Sequence, residues 1–253
     1  GVLKALEEHC IFPEFITGTS MGALVGALYA SGLSGLEIEA LAVNMSWTRW
    51  AYLVDVTLIK PGGFIEGKRV TAMLKSLLHD LQFSQLRRHF ACVATDIRSG
   101  REVVFREGSV ADAVRASISL PGIFTPMRSD GRYLVDGGLV NEVPVKLCRE
   151  IGASYVIGVN VNPDPAKLNN RAISKPPGLA EILTQTAAIT GYHIALENMR
   201  DANLAINPEA EDIGFWQLQK AAECIRIGEE AARKVLDGIR TEESPQLTLD
   251  LAV

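Results

Sequence analysis

The sequence contains no long apolar segment and no excess of basic residues. A helix that spans a membrane needs roughly 18–20 consecutive apolar residues, and no run in these 253 residues approaches that length. The formal net charge is −5, whereas nucleic-acid-binding proteins normally carry a basic face. We therefore expect a soluble protein that does not bind nucleic acid. Any contact with a membrane surface would have to be apolar rather than electrostatic.

Cysteine is also scarce. The four cysteines lie far apart and form no C-x-x-C pair, at Cys10, Cys92, Cys148 and Cys224. Two disulfides are possible on this count, but buried thiols in a reducing compartment are the preferred interpretation. The opening residues, GVLKALEEHC, indicate an amphipathic helix rather than a signal peptide. These features favour a cytoplasmic protein, with possible peripheral contact to a membrane.

Short β-branched stretches alternate with helix-like segments along the chain. Residues 15–17 suit a buried strand, residues 90–105 suit a hairpin around a polar turn, and residues 155–161 suit a further strand. Alternation of this kind predicts an α/β fold with a largely parallel central sheet and helices on both faces. No internal repeat or second domain is visible, so residues 1–253 are expected to form one domain.

Helix boundaries are marked by capping residues. Ser34 and Glu37 have the spacing of a capping box, and Ser109 can cap a later helix. Gly32 should end the helix that follows the first strand. Residues 46–65 are rich in aromatic side chains and end in Pro-Gly-Gly, which predicts irregular structure.

A G-x-S-x-G motif lies between the first predicted strand and the next predicted helix, at residues 18–22. In such a turn the strand passes sharply into the helix, so that the hydroxyl of Ser20 points outward. Gly18 and Gly22 remove side chains that would clash in so tight a bend. The helix N-terminus would also favour a developing oxyanion. The alternative is a glycine-rich turn in which the serine only caps the helix.

A serine hydroxyl needs a base that removes its proton. His193 follows Asp136 in the chain, so Ser20, Asp136 and His193 have the order of an α/β-hydrolase triad. However, His193 falls within a predicted helix, and only 19 residues precede Ser20, whereas α/β-hydrolases place several strands before the serine. Asp136 ends a short strand before Gly137 and Gly138, where a buried carboxylate could act as the base. Asp-Gly-Gly is also an ordinary turn sequence.

The two motifs together resemble those of the patatin-like phospholipase family, in particular its bacterial, neuropathy-target-esterase-like branch. The resemblance rests on GTSMGALVG with DGG, and it extends to GVLKALEEHCI, VATDIRSGREVVF, RASISLPGIFTP and VDGGLVNEVPV. It implies a single three-layer domain. It also implies a Ser–Asp dyad in which Ser20 is the nucleophile and Asp136 the base. The implied reaction is hydrolysis of phospholipid or lysophospholipid acyl esters through an acyl-enzyme, without a metal or cofactor.

The resemblance also reveals a departure. Members of the family carry a strand and a Gly-rich oxyanion loop before the GVLKAL helix, and Gly1 would be the last glycine of that loop. Without the donors of that loop, the backbone N–H of Met21 is the remaining candidate oxyanion donor. The strand and the rest of the loop are absent from residues 1–253, and a missing N-terminal segment is the preferred explanation. The alternative is a non-catalytic lipid-binding or regulatory protein that has lost the loop. A cluster of aromatic side chains could either line an acyl-chain site or fill the core, at Trp47, Trp50, Tyr52 and Phe64.

Overall fold

The computed structural model describes residues 1–44, 67–167, 178–210, 213, 217–240 and 250–252. Its helices are α1 (Val2–Glu8), α2 (Met21–Ala30), α3 (Gly35–Val43), α4 (Lys68–Leu77), α5 (Val110–Ser117), α6 (Val145–Glu150), α7 (Leu179–Met199) and α8 (Ala221–Arg240). Its strands are β1 (Phe15–Thr19), β2 (His89–Asp96), β3 (Arg101–Phe105), β4 (Met127–Ser129), β5 (Arg132–Asp136), β6 (Val156–Val159), β7 (Leu204–Ile206) and β8 (Asp250–Ala252). The predicted irregular segment 46–65, with its aromatic cluster, lies outside the described residues.

The strands form one sheet in which the centre is parallel. β1 runs parallel to β2 on one side and to β8 on the other, and β6 runs parallel to β8 and β7. β3 and β5 are antiparallel to β2, and β4 is antiparallel to β5. The predicted α/β fold and the predicted hairpin are therefore confirmed. The sheet is mixed because short connections join β2 to β3 and β4 to β5. Connections this short allow only antiparallel pairing, since a parallel crossover needs a dozen or more residues.

One edge of β2 carries two strands end to end. β1 pairs with β2 as far as Val93, which lies opposite Thr19, the last residue of β1. β5 pairs with β2 from Ala94 onward, and Ala94 lies opposite Asp136, the last residue of β5. β3 pairs with β2 across both points, at residues 92–96. Because a strand edge holds one partner at each position, β1 and β5 must share the edge opposite β3. Their carboxyl ends therefore meet.

Helices cover both faces of the sheet. Successive residues of a strand point to opposite faces, and β2 shows this alternation. Phe90 and Cys92 pack in the larger core, with apolar side chains from α1, α2, α3, α4, α5 and α8. Ala91 and Val93 pack on the other side against Leu147 of α6. α7 joins α6 on that second side. This is the three-layer arrangement that the sequence predicts.

Several predicted helix boundaries are confirmed. The Ser34 hydroxyl accepts a hydrogen bond from the Glu37 N–H, and the Glu37 side chain accepts one from the Ser34 N–H. The Ser109 hydroxyl accepts a hydrogen bond from the Asp112 N–H at the start of α5. Gly32 lies just beyond α2 with a φ of +110°, a conformation that favours glycine.

The four cysteines form no disulfide. Cys92 and Cys148 are buried, whereas Cys10 and Cys224 are exposed. The expectation that all four thiols are buried is therefore wrong for two of them. In the described part of the chain, no helix is both long enough and apolar enough to cross a membrane.

Candidate active site

Ser20 lies in a strained turn between β1 and α2. Its φ of 55° and ψ of −120° fall outside the regions that non-glycine residues normally occupy. Such a conformation costs of the order of 1–3 kcal/mol and persists only where the surrounding structure enforces it. A Cβ atom on Gly18 would come within 2.5 Å of the backbone of Gly22. The glycine at position 18 is therefore required by the close approach of strand and helix.

Hydrogen bonds from buried polar groups hold this turn in place. The Ser20 N–H donates to the hydroxyl of Ser117, at the end of α5, over 2.9 Å, and Ser117 is fully buried. The Thr19 hydroxyl donates to the backbone carbonyl of Asn141 over 2.7 Å. The strained turn is thus tied to α5 on one side and to the chain after β5 on the other.

Asp136 is fixed by the tight turn that follows β5. Its N–H donates to the carbonyl of Ser119 over 3.0 Å, and its carboxylate Oδ1 accepts from the Gly138 N–H over 2.9 Å. A Cβ atom on Gly137 would overlap the carbonyl oxygen of Val93 in β2. The Asp-Gly-Gly sequence therefore lets the backbone pack directly on β2 while the turn orients the carboxylate.

Ser20 and Asp136 meet through a short hydrogen bond. The Ser20 hydroxyl donates to Asp136 Oδ2 over 2.6 Å. The pairing of β1 and β5 along one edge of β2 explains this contact between residues far apart in sequence, because each side chain lies where its strand ends. Ser20 remains partly exposed, whereas Asp136 is only 4% exposed. A substrate could therefore reach the hydroxyl, while the carboxylate is shielded from water.

The burial of Asp136 changes its acidity. Loss of hydration raises the pKa of its carboxyl to about 7. The Ser20 hydroxyl and the Gly138 N–H act in the opposite direction, since both bonds stabilise the ionised form, and the negative charge of Glu142 raises the pKa further. A carboxylate with a pKa near neutrality is a far stronger base than an exposed aspartate, and it can still return the proton.

The four histidines occupy other environments. His193 is an exposed residue of α7 whose ring packs edge to face on Tyr192. His9 bonds to the carbonyl of Ala5 and to Asp237. The other two are His79, an exposed residue just beyond α4, and His89, which stacks on Phe15. Among the described hydrogen bonds, the Ser20 hydroxyl donates to Asp136 and none joins His193 to either residue.

Met21 begins α2 directly after Ser20. The first N–H groups of a helix have no partner within the helix, and the helix dipole favours negative charge beside them. In strand–turn–helix hydrolases, the N–H that follows the serine helps to bind the oxyanion. An oxyanion role for the Met21 N–H stays a prediction. Among the described residues, no group of three or more His, Cys, Asp or Glu side chains is placed to hold a metal ion.

A second carboxylate lies beside the pair, and the sequence motifs did not predict it. Glu142 lies between the Gly137–Leu139 turn and α6, and its side chain returns towards Gly138. Burial raises its pKa, and a hydrogen bond from Asn162 lowers it. The signal in the sequence was an acidic residue inside the largely apolar stretch 139–145.

A serine on a strained strand–helix turn, bonded to a buried carboxylate in an α/β fold, is typical of serine hydrolases. The family model for patatin-like phospholipases matches residues 1–149, which is more than half of the chain. The chain belongs to the patatin-like phospholipase family, and the predicted resemblance is confirmed.

Curated relatives carry the same family names. An uncharacterised NTE family protein of Mycobacterium tuberculosis is 32% identical over 162 residues, which cover 64% of this chain and 44% of that protein. A patatin-like phospholipase domain-containing protein of Caenorhabditis elegans is 35% identical over 168 residues, covering 64% of this chain and 12% of its own length. A lysophospholipase of Neosartorya fischeri is 26% identical over 271 residues, which cover 96% of this chain and 18% of that protein. The chain spans less than half the length of these relatives.

Proposed function

We propose that this protein is a serine acyl hydrolase that cleaves acyl esters of phospholipids or lysophospholipids. The observation that carries the proposal is the 2.6 Å hydrogen bond from the Ser20 hydroxyl to the buried carboxylate of Asp136. Membership of the patatin-like phospholipase family supports the reaction class. The similarity to a protein named lysophospholipase supports the substrate class.

In the first half-reaction, the Asp136 carboxylate accepts the proton of the Ser20 hydroxyl while Oγ attacks the ester carbonyl carbon. The carbonyl oxygen becomes an oxyanion next to the N-terminus of α2, where the Met21 N–H can donate to it. The tetrahedral intermediate then collapses. Asp136 gives its proton to the departing alcohol, and the acyl group remains on Ser20.

In the second half-reaction, water takes the place of the alcohol. Asp136 accepts a proton from that water, whose oxygen attacks the acyl carbon. Collapse of the second intermediate releases the fatty acid, and the proton returns to Ser20 Oγ. The bond from Asp136 to the Gly138 N–H keeps the carboxylate oriented through both steps.

The proposal is tested with a fluorophosphonate probe, which labels activated serines, and with hydrolysis of p-nitrophenyl esters and lysophospholipids. Ser20→Ala should lose both labelling and hydrolysis. Asp136→Asn should lose both as well, because the amide cannot accept the proton. His193→Ala is the matched control and should retain both.

Retained activity in the Asp136→Asn protein would rule out the dyad. An unlabelled Ser20 in the unmodified protein, together with binding to phospholipid vesicles, would instead favour a non-catalytic lipid-binding protein.

A further inference from the structure

The side chains of Glu142 and Asp136 both approach the position of Gly138. A Cβ atom on Gly138 would overlap Glu142 Oε2 and would lie 3.3 Å from Asp136 Oδ1. The two carboxylates therefore lie close together, and the lack of a side chain at Gly138 makes room for both. Charges this close interact strongly when they are shielded from water.

The Glu142 side chain is held in place by groups from two other elements. The Asn162 side-chain amide, just beyond β6, donates to Glu142 Oε1 over 2.9 Å. The Asn198 side-chain oxygen, on α7, accepts from the Glu142 N–H over 3.0 Å. On α7, a Cβ atom at Gly191 would lie 3.1 Å from Glu142 Oε2. The position of the carboxylate thus depends on two asparagines and two glycines.

Burial opposes the ionisation of Glu142 and raises its pKa, whereas one hydrogen bond favours the charged form without neutralising it. The Asn162 amide stabilises the carboxylate by donating a hydrogen bond but carries no charge of its own. Within the described residues, no lysine or arginine forms an ion pair with Glu142. Lys146, on the next helix, pairs with Asp201 at 3.4 Å. The negative charge of Glu142 therefore acts on its neighbours.

We infer that Glu142 is a positioning residue of the active site, whose negative charge strengthens Asp136 as a base; the inference rests on the proposed function. A negative charge beside an aspartate opposes its ionisation, so the aspartate binds a proton more readily. That effect assists a step in which Asp136 takes a proton from Ser20. It acts in the same direction as burial.

Other charged side chains on the elements around Asp136 are engaged elsewhere. On β2, Asp96 accepts hydrogen bonds from the Ser99 hydroxyl and the Arg98 N–H. On α5, the buried guanidinium of Arg115 donates to the Ser119 hydroxyl. On β3, Glu102 accepts from the Asn141 side chain. On α7, His193 is exposed. Glu142 is the charged neighbour that raises the Asp136 pKa.

The test is the titration of Asp136, measured by carboxyl ¹³C NMR and by the pH dependence of fluorophosphonate labelling of Ser20. Glu142→Gln should lower the midpoint by about one pH unit. The labelling rate at high pH should fall by roughly a few-fold, because the base is weaker. Glu142→Asp retains the charge and should restore much of the shift. Glu102→Gln removes a carboxylate bonded to Asn141 and should leave the midpoint unchanged.

A second variant changes the ionisation of Glu142 without replacing the Glu142 side chain. Asn162→Ala retains the Glu142 side chain but removes the bond that favours its ionised form. The Asp136 midpoint should therefore move in the same direction as in Glu142→Gln. The double variant should move no further than Glu142→Gln alone, because both changes act through one charge.

An Asp136 midpoint that is the same in the unmodified, Glu142→Gln and Asn162→Ala proteins would overturn the inference. Normal labelling of Ser20 in that case would leave the proposed function standing. If Ser20 is inert to the probe in every protein, the proposed function fails, and the NMR midpoints alone decide whether Glu142 acts on Asp136. Should Glu142→Gln fail to fold, Asn162→Ala carries the same comparison.

Discussion

Replacement of Asp136 by asparagine should make the protein more stable at neutral pH while it removes activity. The folded state holds this carboxyl at a pKa of about 7, compared with 3.8 for an exposed aspartate. Because the raised pKa means that the folded state binds the proton more tightly, stability falls as the pH rises from about 4 to about 7. Asparagine resembles the protonated acid and has no proton to lose.

The size of the effect follows from the difference in pKa. At about 1.4 kcal/mol per pH unit, a shift from 3.8 to about 7 corresponds to about 4 kcal/mol of lost stability above pH 7. For a chain of this length that would raise the melting temperature of Asp136→Asn by roughly 10 °C at pH 8. At pH 4 both folded proteins carry a neutral group at this position, so the difference should be close to zero.

The assay is urea denaturation of both proteins at a series of pH values between about 4 and 8. Asp96→Asn is the matched control of opposite sign, because hydrogen bonds from Ser99 and Arg98 lower the Asp96 pKa. That variant should be less stable than the unmodified protein at neutral pH, and the difference should shrink as the pH falls towards the Asp96 pKa. If the gain in Asp136→Asn is absent, or is the same at pH 4 and pH 8, the reasoning from burial is refuted.

Three further predictions concern the site. Because Asp136 must be ionised, kcat/KM should fall about tenfold per unit below pH about 7; a flat profile down to pH 5 would contradict this. Gly138→Ala should fold but lose at least about tenfold in kcat, since its Cβ would overlap Glu142 Oε2 beside the Asp136 carboxylate. Gly178→Ala is its control, because an added Cβ atom there would meet no atom of the described residues within 4 Å. Ser117→Ala should lower the free energy of unfolding, measured with urea, by about 1–2 kcal/mol and should also lower kcat, because the Ser20 N–H loses its buried acceptor. If both values are unchanged, Ser117 does not stabilise the turn.

The parts of the site that the sequence predicted are those encoded by neighbouring residues. The Gly18–Ser20–Gly22 spacing is local, and so is the turn after Asp136, because each requires glycine within one or two positions. The resemblance to a known family then linked the two motifs. The 2.6 Å bond between their side chains is a tertiary contact that no local pattern specifies.

The parts that escaped prediction depend on long-range pairing. The three-residue strands β4, β7 and β8 are too short to show a period. β8 occupies the position between β1 and β6, although it lies far from both in sequence. Glu142 was missed for a similar reason. Its partner Asn162 lies beyond β6 and its partner Asn198 lies on α7, and only the folded chain brings them together.

The shared edge of β2 has a consequence for how this protein can vary. The last residues of β1 and β5 pair with the neighbouring residues Val93 and Ala94 of β2. The distance between the nucleophile and the base therefore depends on the register of these two strands on β2. Insertions in the surface loops between Ser20 and Asp136 would leave that distance intact. Deletion of one residue within β5 would turn the Asp136 side chain to the opposite face of the sheet. Tolerance to change in length should therefore be high in the connecting loops and absent within these strands.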